Sequence, residues 1–190
     1  MESEMKIAVL IDAENISSKY TGVILNEANN LGDIIIKRIY GDWTARQMGS
    51  WKDVILDNCV QPIQQYSNVS GKNSSDSSLI IDAMDLLYQG SLDGFCIVSS
   101  DSDFTRLAAR LREADKYVLG MGEQKTPRSF ISACSKFAYL DLLYASAEPQ
   151  PAARPAPQPA ARAPQPAAAP QPAAQPAPQP VPAPAEEIAG

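Results

Sequence analysis

Four aspartates stand where a folded chain gathers ligands. Asp12 ends the apolar run Lys6 to Ile11, in Ile11-Asp12-Ala13-Glu14-Asn15. Asp101 and Asp103 follow the apolar run Phe95 to Val98, in Ser99-Ser100-Asp101-Ser102-Asp103-Phe104, and Asp76 opens a helical segment after the polar stretch Gly71-Lys72-Asn73-Ser74-Ser75. If the two apolar runs are neighbouring strands, these carboxylates converge on one mouth. Carboxylates crowded in that way repel one another unless they are protonated or bridged by cations. Hard oxygen ligands without Cys or His suit Mg²⁺ or Mn²⁺. The chain has no histidine, which excludes Ser-His-Asp and Cys-His catalysis and histidine-based phosphodiester transesterification. Carboxylates, lysines or a metal-bound water are left to activate a nucleophile.

Each of these residues also has a plain structural role open to it. Asp101 stands where an N-cap would, a contribution of about 1 kcal/mol, and Asp76 falls in a first helical turn, where negative charge is favoured. Asn15 suits a turn or a cap as well as a ligand role. Capping does not explain Asp12, and its coincidence with the Asp101-Ser102-Asp103 pair favours the metal reading. Asp82 follows Asp76 by six residues, about 600° around a helix, so the two cannot both point at one ion. Asp82 is peripheral, solvated or hydrogen-bonded.

The elements that would position these side chains alternate between strand-length apolar runs and helical periodicity, the sign of a parallel sheet with helices on both faces. Strands are predicted over Lys6 to Ile11, Ile34 to Tyr40, Val60 to Tyr66, Phe95 to Val98, Tyr117 to Met121 and Phe137 to Leu140. Helices are predicted over Tyr20 to Leu31, Met48 to Leu56 with Trp51, Ile55 and Leu56 inward, Ser78 to Tyr88, Phe104 to Ala114 and Pro127 to Cys134. The fold class is α/β, a single three-layer domain. In open sheets of this kind ligands collect beyond the carboxyl ends of the strands, where strand order reverses, and the aspartates lie there.

Composition divides the chain. All but two of its 16 prolines lie from Pro149 onward, which sets a domain over 1–147 and a Pro/Ala/Gln-rich tail over 148–190. That tail has too few large apolar side chains to bury a core, so a disordered linker is expected. Its reach runs from roughly 35 Å as a flexible coil to 130 Å as continuous polyproline II. No apolar stretch is long enough to span a bilayer and the start lacks a signal-peptide pattern, so a cytoplasmic protein without a membrane segment is expected. Cys59, Cys96 and Cys134 are odd in number and far apart in apolar segments, reading as buried free thiols. Residues 1–147 carry 19 acidic against 14 basic side chains, so a polyanionic ligand would need a local basic patch and divalent cations.

Asp12-x-x-Asn15, Lys72-x-x-x-Asp76 and Ser99-Ser100-Asp101-Ser102-Asp103-Phe104 together resemble the NYN domain family, including its bacterial LabA-like members, over roughly Lys6 to Leu143. The resemblance implies a PIN-like fold and a divalent-metal-dependent ribonuclease that hydrolyses phosphodiester bonds. It places Asp12, Asp76, Asp101 and Asp103 at the metal, with Asn15 and Ser100 as polar support and Asp82 as an additional acidic member. The loop before Asp76 departs from the LabA-like pattern, with Asn73-Ser74-Ser75 intervening, which loosens the placement of Lys72. With RNA as substrate, Lys72, Arg106, Lys125 and Arg128 are candidates for its backbone, each with an ordinary solvated charge as the alternative. Thr126 reads as a helix cap with Pro127 at the first helical position. Trp43, near Thr44 and Arg46, is placed to stack a base or to be partly buried.

A non-catalytic PIN-like module that binds RNA or a protein is the alternative. A haloacid-dehalogenase-type phosphatase would want an aspartate where Glu14 stands. Some proteins resembling this one carry a small LOTUS RNA-binding domain after the NYN domain, so the tail is read as leading to such a domain or to a protein partner. A homo-oligomer is left open.

Overall fold

The computed structural model describes residues 4–66 and 74–147. Strands β1 (Lys6–Asp12), β2 (Asp33–Gly41), β3 (Gln61–Gln64), β4 (Gly94–Val98), β5 (Tyr117–Gly122) and β6 (Lys136–Tyr139) form one sheet in the order β3-β2-β1-β4-β5-β6, and every pairing is parallel. Order reverses between β1 and β4, whose register aligns Ile11 with Val98. Asp12 and Ser99 therefore leave the sheet side by side at the switch point, where a crevice opens in doubly wound sheets.

Helices α1 (Thr21–Leu31), α2 (Lys52–Asp57), α3 (Ser74–Gln89), α4 (Thr105–Glu113), α5 (Arg128–Ala133) and α6 (Leu140–Ala147) cover both faces. Strand alternation sorts β1 between the two cores. Ile7, Val9 and Ile11 pack with Ile24 and Ala28 of α1, Trp51 and Leu140, whereas Ala8 and Leu10 pack with Leu79, Ala83 and Leu86 of α3, Leu107 and Leu111 of α4 and Phe130 of α5. Both central strands are buried almost throughout, which is why their sequences are continuously apolar rather than alternating.

Several expectations change. The predicted helix from Met48 is a 3-10 stretch, Arg46–Trp51, followed by the short α2, and Leu56 is 67% exposed rather than inward. Cys59 is exposed, not buried, because it sits with φ 50° just past the end of α2; Cys96 and Cys134 are buried free thiols. Helix α3 begins at Ser74, a turn earlier than Ser78, since tertiary packing of Leu79, Ala83 and Leu86 outweighs the weak helix preference of its serines. Leu140, read as the end of a strand, starts α6, whose Tyr144 meets Tyr20 edge to face at 5.6 Å. Thr126 does not cap α5: its hydroxyl donates to the Glu123 carbonyl at 2.6 Å, and Pro127 occupies the N-cap.

Candidate metal centre at the strand switch point

Asp12 is enclosed where β1 ends. Its Oδ1 accepts from the Glu14 amide at 3.1 Å, and its Oδ2 accepts from Asn15 Nδ2 at 2.7 Å and Ser99 Oγ at 2.8 Å. Burial pushes its carboxyl above the ordinary aspartate range, and the bonds from Asn15, Ser99, Glu14 and Asn15's amide pull the other way. The fully buried Ser99 also accepts from the Asp101 amide at 3.1 Å, so one hydroxyl ties the end of β1 to the turn after β4. That turn is a single 3-10 turn, Ser102–Phe104, capped by Asp101, whose Oδ1 accepts from the Asp103 amide at 3.0 Å. Phe104 anchors it beneath, buried beside Phe130.

The same turn is held laterally by β5. Ser100 Oγ accepts from the Glu123 amide at 2.9 Å. Gly122 makes that approach possible, because a Cβ there would lie 2.6 Å from both the Ser99 carbonyl oxygen and Thr126 Oγ1.

Asp76, in the first turn of α3, completes the group: single carboxylate oxygens of Asp76, Asp101 and Asp103 lie within 4.8 Å of one another. Asp76 is only 5% exposed, and its Oδ1 is buried with no hydrogen-bond partner. Its carboxyl is pushed up to about 7, first by burial and then by the charges of Asp12, Asp101, Asp103 and Glu14. A buried carboxylate oxygen without a donor, facing two further carboxylates, is the situation a cation relieves. The donors are all hard oxygens, which fits Mg²⁺ or Mn²⁺ and not a thiol- or imidazole-loving metal. Asp12 is not one of the three clustered carboxylates; its oxygens accept from Glu14, Asn15 and Ser99, and its charge acts on Asp76.

Of the remaining expected site residues, Asn15 holds Asp12 and Ser100 holds the β5 turn. Asp82 stands apart, accepting from Arg38 Nη1 and from the Tyr40 hydroxyl. Arg106 and Arg128 are exposed, and neither enters an ion pair among the described residues. Lys125 pairs with Glu123 at 2.7 Å, and Glu123 also accepts from the Tyr20 hydroxyl. Lys72 lies outside the described residues. Sequence reasoning missed Ser99 and Glu14. For Ser99 a signal existed: strand alternation puts it on the same face as Ile97, as Asp12 shares its face with Leu10, so Ser99 rather than Ser100 had to meet Asp12.

Comparison with known proteins agrees with this geometry. The NYN domain model matches residues 6–141. The chain is similar to the uncharacterized protein MJ0482 of Methanocaldococcus jannaschii, 24% identical over 127 residues that cover 65% of this chain and 50% of that one, so it spans about half the length of this curated relative. Among solved structures it is similar to a protein of unknown function, VPA0982, from Vibrio parahaemolyticus, with a TM-score of 0.61 and 17% identity over 73% of this chain and 94% of the other, a likeness of fold. With the family model spanning all six strands and the whole carboxylate cluster, the chain belongs to the NYN domain family, which has the PIN-like nuclease fold and whose members are generally ribonucleases with acidic metal-binding residues.

Proposed function

We propose that this domain hydrolyses RNA phosphodiester bonds with Mg²⁺ or Mn²⁺ held by Asp76, Asp101 and Asp103, together with the charge of Asp12. The observation that carries the reading is the buried, donor-free Oδ1 of Asp76 set against two neighbouring carboxylates. A divalent ion bound there supplies an activated water and charge stabilisation for the leaving oxygen. The protein's own contribution is to hold the ligands rigid. Asn15 and Ser99 fix Asp12, the cap bond fixes Asp101 relative to Asp103, and Ser100 with Gly122 fixes the turn against β5. With no histidine in the chain, proton transfer falls to carboxylates and solvent.

Arg106 and Arg128, exposed and without ion pairs among the described residues, support an RNA path along the starts of α4 and α5, and Lys125 contributes less because Glu123 offsets it. The domain boundary is placed after Ala147, where α6 ends, with the Pro/Ala/Gln-rich remainder as a linker towards an RNA-binding or protein partner. No described helix is long and apolar enough to cross a membrane; a cytoplasmic location accords with the composition.

The test is incubation of single-stranded, hairpin and transfer RNAs with purified protein in Mn²⁺, Mg²⁺ or chelator. Cleavage that needs the ion and is abolished by Asp101→Asn is the expected result. RNA affinity retained in chelator with no cleavage in either ion would replace the hydrolase by a binding module.

A further inference from the structure

One cavity of the described residues lies away from the carboxylate cluster. It is an apolar hollow of about 480 Å³ beyond the carboxyl end of β2, lined by Trp43, Ile55, Leu56 and Pro62, with Arg46 and Lys52 at its sides. We propose that it is a nucleobase subsite: it takes one base of a single-stranded RNA against Trp43, with the adjoining phosphate on Arg46 and Lys52. The proposal deepens the nuclease reading and rests on it for the identity of the polymer.

Three observations converge. First, Trp43 is held in place and not merely packed away. Its indole Nε1 donates to the Ile63 carbonyl at 3.0 Å and its amide donates to Gln64 Oε1 at 3.1 Å. Asp42 locks the turn by accepting from the Thr44 amide at 3.1 Å and Gln64 Nε2 at 2.9 Å. An aromatic ring pinned by its edge, half-buried and still lining a cavity, is the form of a stacking platform, which binds bases of any kind through their π-faces. Second, neither Arg46 nor Lys52 enters an ion pair among the described residues. An apolar floor flanked by two uncompensated cations matches a planar aromatic group joined to an anion, which is a nucleotide; an apolar protein side chain would leave the cations unused. The volume lies within the usual range of small-ligand sites.

Third, the cavity lies at the right end of the sheet. Asp12 pairs in register with Tyr40, three residues before Trp43. Adjacent strands are about 4.8 Å apart and three further residues add at most about 11 Å, so the indole-bearing backbone is within roughly 16 Å of the Asp12 backbone. Inward contact is direct, since a Cβ on Gly41 would meet Ala13 Cβ at 3.4 Å and Met48 Cε at 3.6 Å. The same acidic domain thus has, at the same end of the sheet as its carboxylates, a patch of opposite character suited to hold a flanking nucleotide.

The experiment is quenching of tryptophan fluorescence by adenosine and uridine monophosphates in chelator, with indole as an apolar control read by ligand-detected NMR. It uses the full chain and two surface variants, Arg46→Ala/Lys52→Ala and Leu56→Glu. Saturable quenching in the wild type is expected, with a dissociation constant raised about tenfold or more in each variant, unchanged melting temperatures and weakened affinity for a short single-stranded RNA. No quenching by either nucleotide, or binding of indole without binding of nucleotides, overturns the proposal and marks the hollow as a seat for a protein side chain. Because this readout needs no cleavage, it separates from the nuclease reading: absent Mn²⁺-dependent cleavage with intact nucleotide quenching defeats only the latter.

Discussion

Helix α3 carries two aspartates that face the same sheet and behave oppositely. Asp76, in its first turn, lies against other carboxylates and has one oxygen without a donor. Asp82, six residues on, is met by the Arg38 guanidinium and the Tyr40 hydroxyl. The difference comes from the strand beneath each one. Asp76 lies over the switch point, where β1 and β4 end in acidic turns, whereas Asp82 lies over β2, which supplies a cation and a phenol. A protein cation satisfies the partly buried carboxylate of Asp82, whereas at Asp76 the neighbouring carboxylates leave an oxygen that a metal ion would satisfy. Tyr40 registers the pairing too, since burial and then its bond to Asp82 push its hydroxyl well above the ordinary tyrosine value.

The contrast breaks most sharply in activity. Asp101→Asn removes a charged ligand while retaining an oxygen that can cap the 3-10 turn, so Mn²⁺-dependent RNA cleavage should fall by on the order of a hundredfold or more with little change in melting temperature. Asp82→Asn should leave cleavage within a few-fold. Equal losses from the two substitutions, measured side by side, would erase the distinction between the two centres.

Stability should move in opposite directions. In chelator at pH 8, Asp76→Asn is expected to raise stability by a few kcal/mol, because it removes a carboxyl whose ionisation in the fold is opposed from about 3.8 up to about 7. Asp82→Ala should lower stability by about 1–2 kcal/mol, mostly because it strands the Tyr40 hydroxyl, the partly exposed ion pair with Arg38 adding little. Urea unfolding of both variants decides it; destabilisation by Asp76→Asn would show that its carboxylate is satisfied in the fold.

The pH dependence follows with its sign. Asp76 binds its proton more tightly folded than unfolded, so its contribution is fully present below about pH 3.8 and is lost as pH rises through about 7. Across that interval the wild type should lose up to about 1.4 kcal/mol per pH unit relative to Asp76→Asn in chelator. Mn²⁺ requires the ionised form, so binding at pH 6 should release close to one proton, and the release should disappear in the variant. Calorimetry in buffers of different ionisation enthalpy measures it; proton release that persists undiminished in Asp76→Asn would assign the titration to another group.

The smallest expected effect concerns Ser99, which touches Asp12 but none of the three clustered carboxylates in the hydrogen bonds described. Ser99→Ala should cost about 1 kcal/mol and reduce cleavage less than tenfold. A loss as large as that of Asp101→Asn would make Asp12 a direct ligand rather than a neighbouring charge.

Amino-acid order alone determined a good deal. Continuous apolar runs at Lys6 to Ile11 and Phe95 to Val98 identify strands buried on both faces, because side-chain transfer to an apolar interior is a local property of each residue, and the aspartates that follow them identify the end of a parallel sheet where ligands gather. Strand parity even contained the Asp12 to Ser99 contact. What the order of residues did not contain is which partners meet across the layers. Asp76 and Asp82 are the same residue type on one helix, and only the register of α3 over β1 and β2 brings Asp82 to Arg38 and Tyr40 and Asp76 to further carboxylates. Likewise α6 forms from Leu140-Asp141-Leu142-Leu143-Tyr144 because Tyr20, in the 3-10 turn just before α1, is there to pack against, and Leu56 stays exposed because the chain bends into a 3-10 turn before it. These outcomes depend on distances between segments far apart in the chain. Propensity and periodicity describe only neighbours along it.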